Sequence, residues 1–84
     1  MNKFNIDELT NYLEELDKLR VDSYILYEDY ELSDNLKQQV ANLLRKYSLL
    51  ELLIIKTTTN SIVVKFDIED ELKRRVEDAR KNND

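Results

Sequence analysis

Alternating helix-like and strand-like hydrophobic patterns predict that the chain folds as a small α+β domain. Two apolar stripes recur at three- and four-residue spacing, Ile6/Leu9/Leu13/Leu16 and Leu36/Val40/Leu43/Leu44/Tyr47, and each marks one face of a helix. β-Branched and aromatic runs at 22–28, 50–58 and 62–66 read as strands. The predicted order is α-β-α-β-β-α, in two or three layers. Its three-stranded mixed sheet includes a 50–58/61–66 hairpin, and any parallel crossover through the second helix would be right-handed.

Each element has a local reason. Asn5 is placed to cap a first helix over 6–20, with Glu8 three residues on completing a capping box and Phe4 stapled to Leu9. Tyr24-Ile25-Leu26-Tyr27 suits a strand, although Leu16, Arg20, Tyr24 and Tyr27 also fall near one helical face. No Gly or Pro separates the two readings. Ser33 is the expected cap of a second helix over 34–47. The Thr57-Thr58-Thr59-Asn60-Ser61 stretch is the expected hairpin turn, with Asn60 its residue best suited to a positive φ. Asp67 is the expected cap of a third helix over 68–81, with a narrow stripe of Ile68, Leu72, Val76 and Ala79. Glu69–Lys73, Asp70–Arg74, Glu71–Arg75 and Glu77–Lys81 are i,i+4 pairs in the favourable order. Residues 82–84 form an expected frayed tail.

The 84 residues suffice for one small domain, taken as 1–84, which buries roughly 60–65% of its unfolded surface. The central 50–58 strand is apolar on both faces and needs cover on both. With the small core, that predicts a homodimer.

Composition excludes more than it selects. The chain has no His, Cys, Gly, Pro or Trp. Disulfides, thiolate metal sites and thiol nucleophiles are therefore absent. So are the commonest general base and the glycine loops that cradle phosphates. A non-enzyme without a cofactor is the expectation. Average usage would give a chain of this length about six Gly and four Pro. The excess of Asn, Lys, Ile and Tyr suits AT-rich coding, as found in phages, viruses, mobile elements and low-GC bacteria. Charged residues make up 37% of the chain, and the N-terminus lacks an apolar leader region, so a cytoplasmic location away from membranes is expected.

Four carboxylates crowd the Glu28-Asp29-Tyr30-Glu31-Leu32-Ser33-Asp34 segment. As a calcium loop it fails, because Asp34 and Val40 stand where Gly and Glu are needed. As a solvated linker it would complement the N-terminus of the next helix. As a docking patch it would use Glu28, Asp29, Tyr30, Glu31 and Asp34. Tyr is common at core edges, but it is also enriched at protein interfaces. Glu71-Leu72-Lys73 imitates an acid-x-Lys nuclease signature, yet on a helix residues two apart diverge. Lys73, Arg74, Arg75, Arg80 and Lys81 form a basic cluster open to phosphates, with no neighbouring aromatic residue to stack on a base.

Residues 1–34 hold ten acids and three bases, a net of −7, against +2 for the remainder. The expected function is an acidic protein-binding module, an inhibitor or adaptor of a phage, virus or mobile element, that engages a basic partner surface. The bland alternative is ordinary solubility charge. The functional alternatives are a dimeric nucleic-acid-binding protein using the basic helix, or a structural homo-oligomer.

Overall fold

The computed structural model describes residues 5–82 and contains four helices: α1 Ile6–Ile25, α2 Tyr30–Leu44, α3 Leu49–Thr58 and α4 Ile62–Asn82. No strand occurs among the described residues, so the architecture is all-helical and the predicted α+β sheet does not form.

Side-chain caps set the helix starts. Asn5 Oδ1 accepts the Glu8 N–H at 3.1 Å, as expected for α1, while Phe4 lies outside the described residues. Asp29, rather than Ser33, caps α2 by accepting the Leu32 N–H at 3.1 Å. Ser33 instead sits inside the helix, buried. Ser48 and Glu51 form the capping box of α3: Glu51 N–H donates to Ser48 Oγ at 3.2 Å, and Ser48 N–H donates to Glu51 Oε1 at 2.8 Å. Ser61 Oγ accepts the Val64 N–H at 3.3 Å and starts α4.

These caps overturn the predicted hairpin. The 50–58 run is α3, and its buried Leu52 and Ile55 lie three residues apart, as on a helix. The 62–66 run is the opening of α4, whose buried Val64, Ile68 and Glu71 repeat at four and three. Thr59 leaves α3 in an extended conformation, φ −70 and ψ 144, and the link to α4 needs no positive φ at Asn60. Asp67 lies within α4 and caps nothing. Helical continuation was the correct alternative at 22–28, since α1 runs to Ile25. The 50–58 run is not a strand apolar on both faces, so the predicted dimer loses that basis. With no parallel strands, the handed crossover has no counterpart either.

Each helix gives two residues to one core: Leu9 and Leu13, Val40 and Leu44, Leu52 and Ile55, Val64 and Ile68. Leu16, Leu43, Tyr47 and Leu72 pack around them. α1 packs most extensively on α2, and both also contact α4. Thr59, buried at the α3–α4 link, donates its hydroxyl to Glu14 Oε1 of α1 at 2.8 Å.

The stripe predicted on the second helix is core, but it packs against helices and its members are unequal. Leu44 is fully buried and Leu43 only partly. Leu44→Ala should lower stability by about 2–5 kcal/mol, and Leu43→Ala clearly less. Urea titration would check this, and equal small losses at both positions would mean that Leu44 is not a core residue.

Candidate functional site: the elbow between the first two helices

α1 ends without a glycine. Leu26 and Tyr27 N–H groups both donate to Asp22 O, at 2.8 and 3.3 Å, and Asp29 N–H reaches back to Ser23 O at 2.9 Å. The reversal passes through Glu28 at φ 51, the only left-handed residue among those described. A residue with a Cβ pays about 1–2 kcal/mol in that region. Buried Ser23 secures the last turns of α1 from inside, its hydroxyl donating to Leu19 O at 2.7 Å.

This turn leaves Tyr24, Ile25, Leu26, Tyr27 and Tyr30 each more than half exposed. Tyr24 and Tyr30 brace the elbow edge-to-face, with ring centroids 5.0 Å apart. The five residues expected as a docking patch, Glu28, Asp29, Tyr30, Glu31 and Asp34, are all exposed at the elbow or in the first two turns of α2. Asp29 is committed to its cap, which leaves Glu28, Glu31 and Asp34 as the uncommitted acids. The neighbouring apolar side chains were legible as a β-branched and aromatic run, but were read as strand. An exposed apolar patch rimmed by polar residues is a common form of protein-binding surface.

The basic cluster is divided. Glu71 is buried, 2% exposed, and draws arginines inward. Arg75 Nε donates to Glu71 Oε2 at 2.8 Å, and its terminal nitrogen donates to Leu44 O at 3.2 Å and Tyr47 O at 2.6 Å. Arg74 donates to Glu71 Oε1 at 3.1 Å, and Arg45 stands 3.8 Å from the same oxygen. Of the four expected pairs, Glu71–Arg75 forms, while Glu69 reaches Lys56 at 3.1 Å and Arg74 turns to Glu71. Lys73, Arg80 and Lys81 are exposed.

A carboxyl pair, buried Asp17 and partly buried Asp67, joins α1 to α4. Asp17 is 2% exposed, and one of its oxygens takes the Arg20 Nε–H at 3.3 Å. Asp17 Oδ2 and Asp67 Oδ2 are both buried without a donor. Burial, then the hydrogen bond and charge of Asp17, push the Asp67 carboxyl up to about 8, against the opposing charge of Arg20. At Glu71 burial pulls upward too, but the hydrogen bonds and charges of Arg75 and Arg74 outweigh it and hold the carboxyl below its ordinary value. Among the described residues no three or more His, Cys, Asp or Glu are grouped to hold a metal ion, and no helix is long and apolar enough to cross a membrane.

Compared with models of protein families, with curated proteins and with solved structures, the chain matches none. The elbow therefore stands on its own chemistry.

Asp67 and Glu71 act oppositely on stability. Between 3.8, where the unfolded Asp67 loses its proton, and about 8, the folded state binds more protons, so stability falls as pH rises. Below 4.5 the unfolded Glu71 is protonated while the folded one remains ionised, so stability falls as pH falls. Urea midpoints should peak near pH 4, between 3.8 and 4.5, and Asp67→Asn should flatten the alkaline limb; an unchanged limb in that variant would mean that Asp67 does not set it. Glu28→Gly should raise stability by about 0.5–1 kcal/mol by relieving the left-handed strain, in spite of glycine's entropy. Lower stability would mean that Glu28 is not strained.

Proposed function

We propose that the protein is an acidic docking module that binds another protein through the α1–α2 elbow, as an inhibitor or adaptor without catalysis of its own. The observation that carries this reading is the strained Glu28 turn, which holds five large apolar side chains outward beside uncommitted acids. Strained backbone persists where surrounding structure enforces it, and it clusters at functional positions. Tyrosine and leucine side chains would supply the packed contact. Glu28, Glu31 and Asp34, within a half of the chain carrying −7, would steer a basic surface toward it. A nucleic-acid role for α4 is the weaker reading, because Arg74 and Arg75 are drawn onto Glu71.

A photo-crosslinking residue placed at Tyr27, and separately at the distant exposed Lys46, tests the surface in an extract of the source cell. A discrete protein adduct should form from position 27 and not from 46. It should fade when Glu28, Glu31 and Asp34 are reversed to Lys, and that loss should shrink as salt screens the charges. Asp29 is left intact because losing the cap would cost about 1 kcal/mol. Gel-shift titration of the same reversal with duplex and single-stranded DNA is the counter-test. Tight DNA binding by the unaltered protein, strengthened by the reversal, would replace the docking reading with the nucleic-acid one.

A further inference from the structure

The outer side of α4 has a pattern that the fold, apart from the Lys56–Glu69 ion pair, does not use. Ile62, Phe66, Glu69, Lys73, Val76 and Arg80 follow one another at intervals of four, three, four, three and four. That is the spacing of a coiled-coil seam, and it sets the six residues along one face of the helix. The face is roughly opposite the one that buries Val64, Ile68 and Glu71. Its apolar members are open to solvent: Ile62 is 66% exposed, Phe66 60% and Val76 55%.

We infer that two copies of this chain pair antiparallel through the α4 seam. The charges choose both occupant and direction. Laid antiparallel about Glu71, the seam places Phe66 opposite the partner's Val76 and Glu69 opposite the partner's Lys73, each contact made twice by two-fold symmetry. A parallel, in-register pair would set Glu69 against Glu69 and Lys73 against Lys73, and like charges held face to face are destabilising. A seam complementary to its own reverse is what an isologous dimer requires. α3 widens the contact. Its Lys56 reaches Glu69 at 3.1 Å, so the α3 face carrying Lys56 borders the seam. Leu49 and Leu53 precede Lys56 by seven and three residues on that face, and both are exposed. The surface is separate from the elbow and does not depend on what the elbow binds.

Sedimentation equilibrium at micromolar concentration tests the pairing. The unaltered chain should sediment at twice its own mass. Phe66→Glu should weaken dimerisation about thirty-fold or more, as loss of a central aromatic contact does. Glu69→Lys and Lys73→Glu should each weaken self-association, because each sets like charges opposite one another, and an equimolar mixture of the two should dimerise again. Circular dichroism melts confirm that each variant is folded, and exposed Lys73 keeps the test available if Phe66→Glu is not. A monomer throughout the micromolar range overturns the inference. So does a dimer indifferent to Phe66→Glu, or one lost instead through Tyr27→Glu at the elbow. Charge variants that associate as well as the unaltered chain overturn the antiparallel register.

Discussion

The Glu71 carboxylate, sealed inside the protein among arginines, is the constraint on which the rest of the architecture depends. It holds Arg75 so that the guanidinium also reaches the carbonyls of Leu44 and Tyr47. Those carbonyls lie at the end of α2, where a helix leaves acceptors unsatisfied and where a cation is favoured by the helix dipole. Most chains finish such a helix with a glycine in the left-handed conformation. This chain has no glycine, so a side chain from α4 completes α2. A buried carboxylate held this way does more for uniqueness of arrangement than for net stability, since desolvation offsets much of the attraction.

The same lack of glycine explains why the turns look as they do. At the elbow, Glu28 takes a conformation that a glycine would adopt with less strain. At the α3–α4 link the chain leaves the helix extended, and Thr59 and Ser61 supply the hydrogen bonds, Ser61 N–H donating to Thr59 Oγ1 at 3.1 Å. Polar side chains thus do at these other two junctions, the end of α2 and the α3–α4 link, what backbone freedom does elsewhere. Five of the acids and bases that look like surface charge in the sequence are part of this internal framework. Asp17, Glu71, Arg20, Arg74 and Arg75 all belong to it.

How much was legible depended on whether a local signal had a competitor. The start of α1 at Asn5 and the stripe through Val40 and Leu44 were readable because their three- and four-residue spacing has no strand-like alternative. The apolar runs at 50–58 and 62–66 failed because a short run of Leu, Ile and Val fits a buried strand and a helix equally well. The Ser48-x-x-Glu51 capping box stood directly before the first of them and was the signal that would have decided it. At the elbow the acids were legible from their density. Their apolar neighbours were legible as a run but assigned to a strand, because β-propensity measures fit to a pleated surface and none exists among the described residues. The inward turn of Arg74 and Arg75 had no sequence signal beyond their spacing from Glu71.

The core takes two residues from each of the four helices, and that division has a consequence for a chain made from its N-terminus onward. α1 and α2 emerge first with Leu9, Leu13, Val40 and Leu44 still lacking the core residues of α3 and α4, and the Leu44 and Tyr47 carbonyls wait for their guanidinium until Arg75 has been added. A ribosome at about 5–20 residues per second would therefore present an unsealed helical pair for a few seconds before α4 closes it. In that interval the nascent chain offers its greasiest surface to chaperones and proteases. α4 is the helix that ends this exposure.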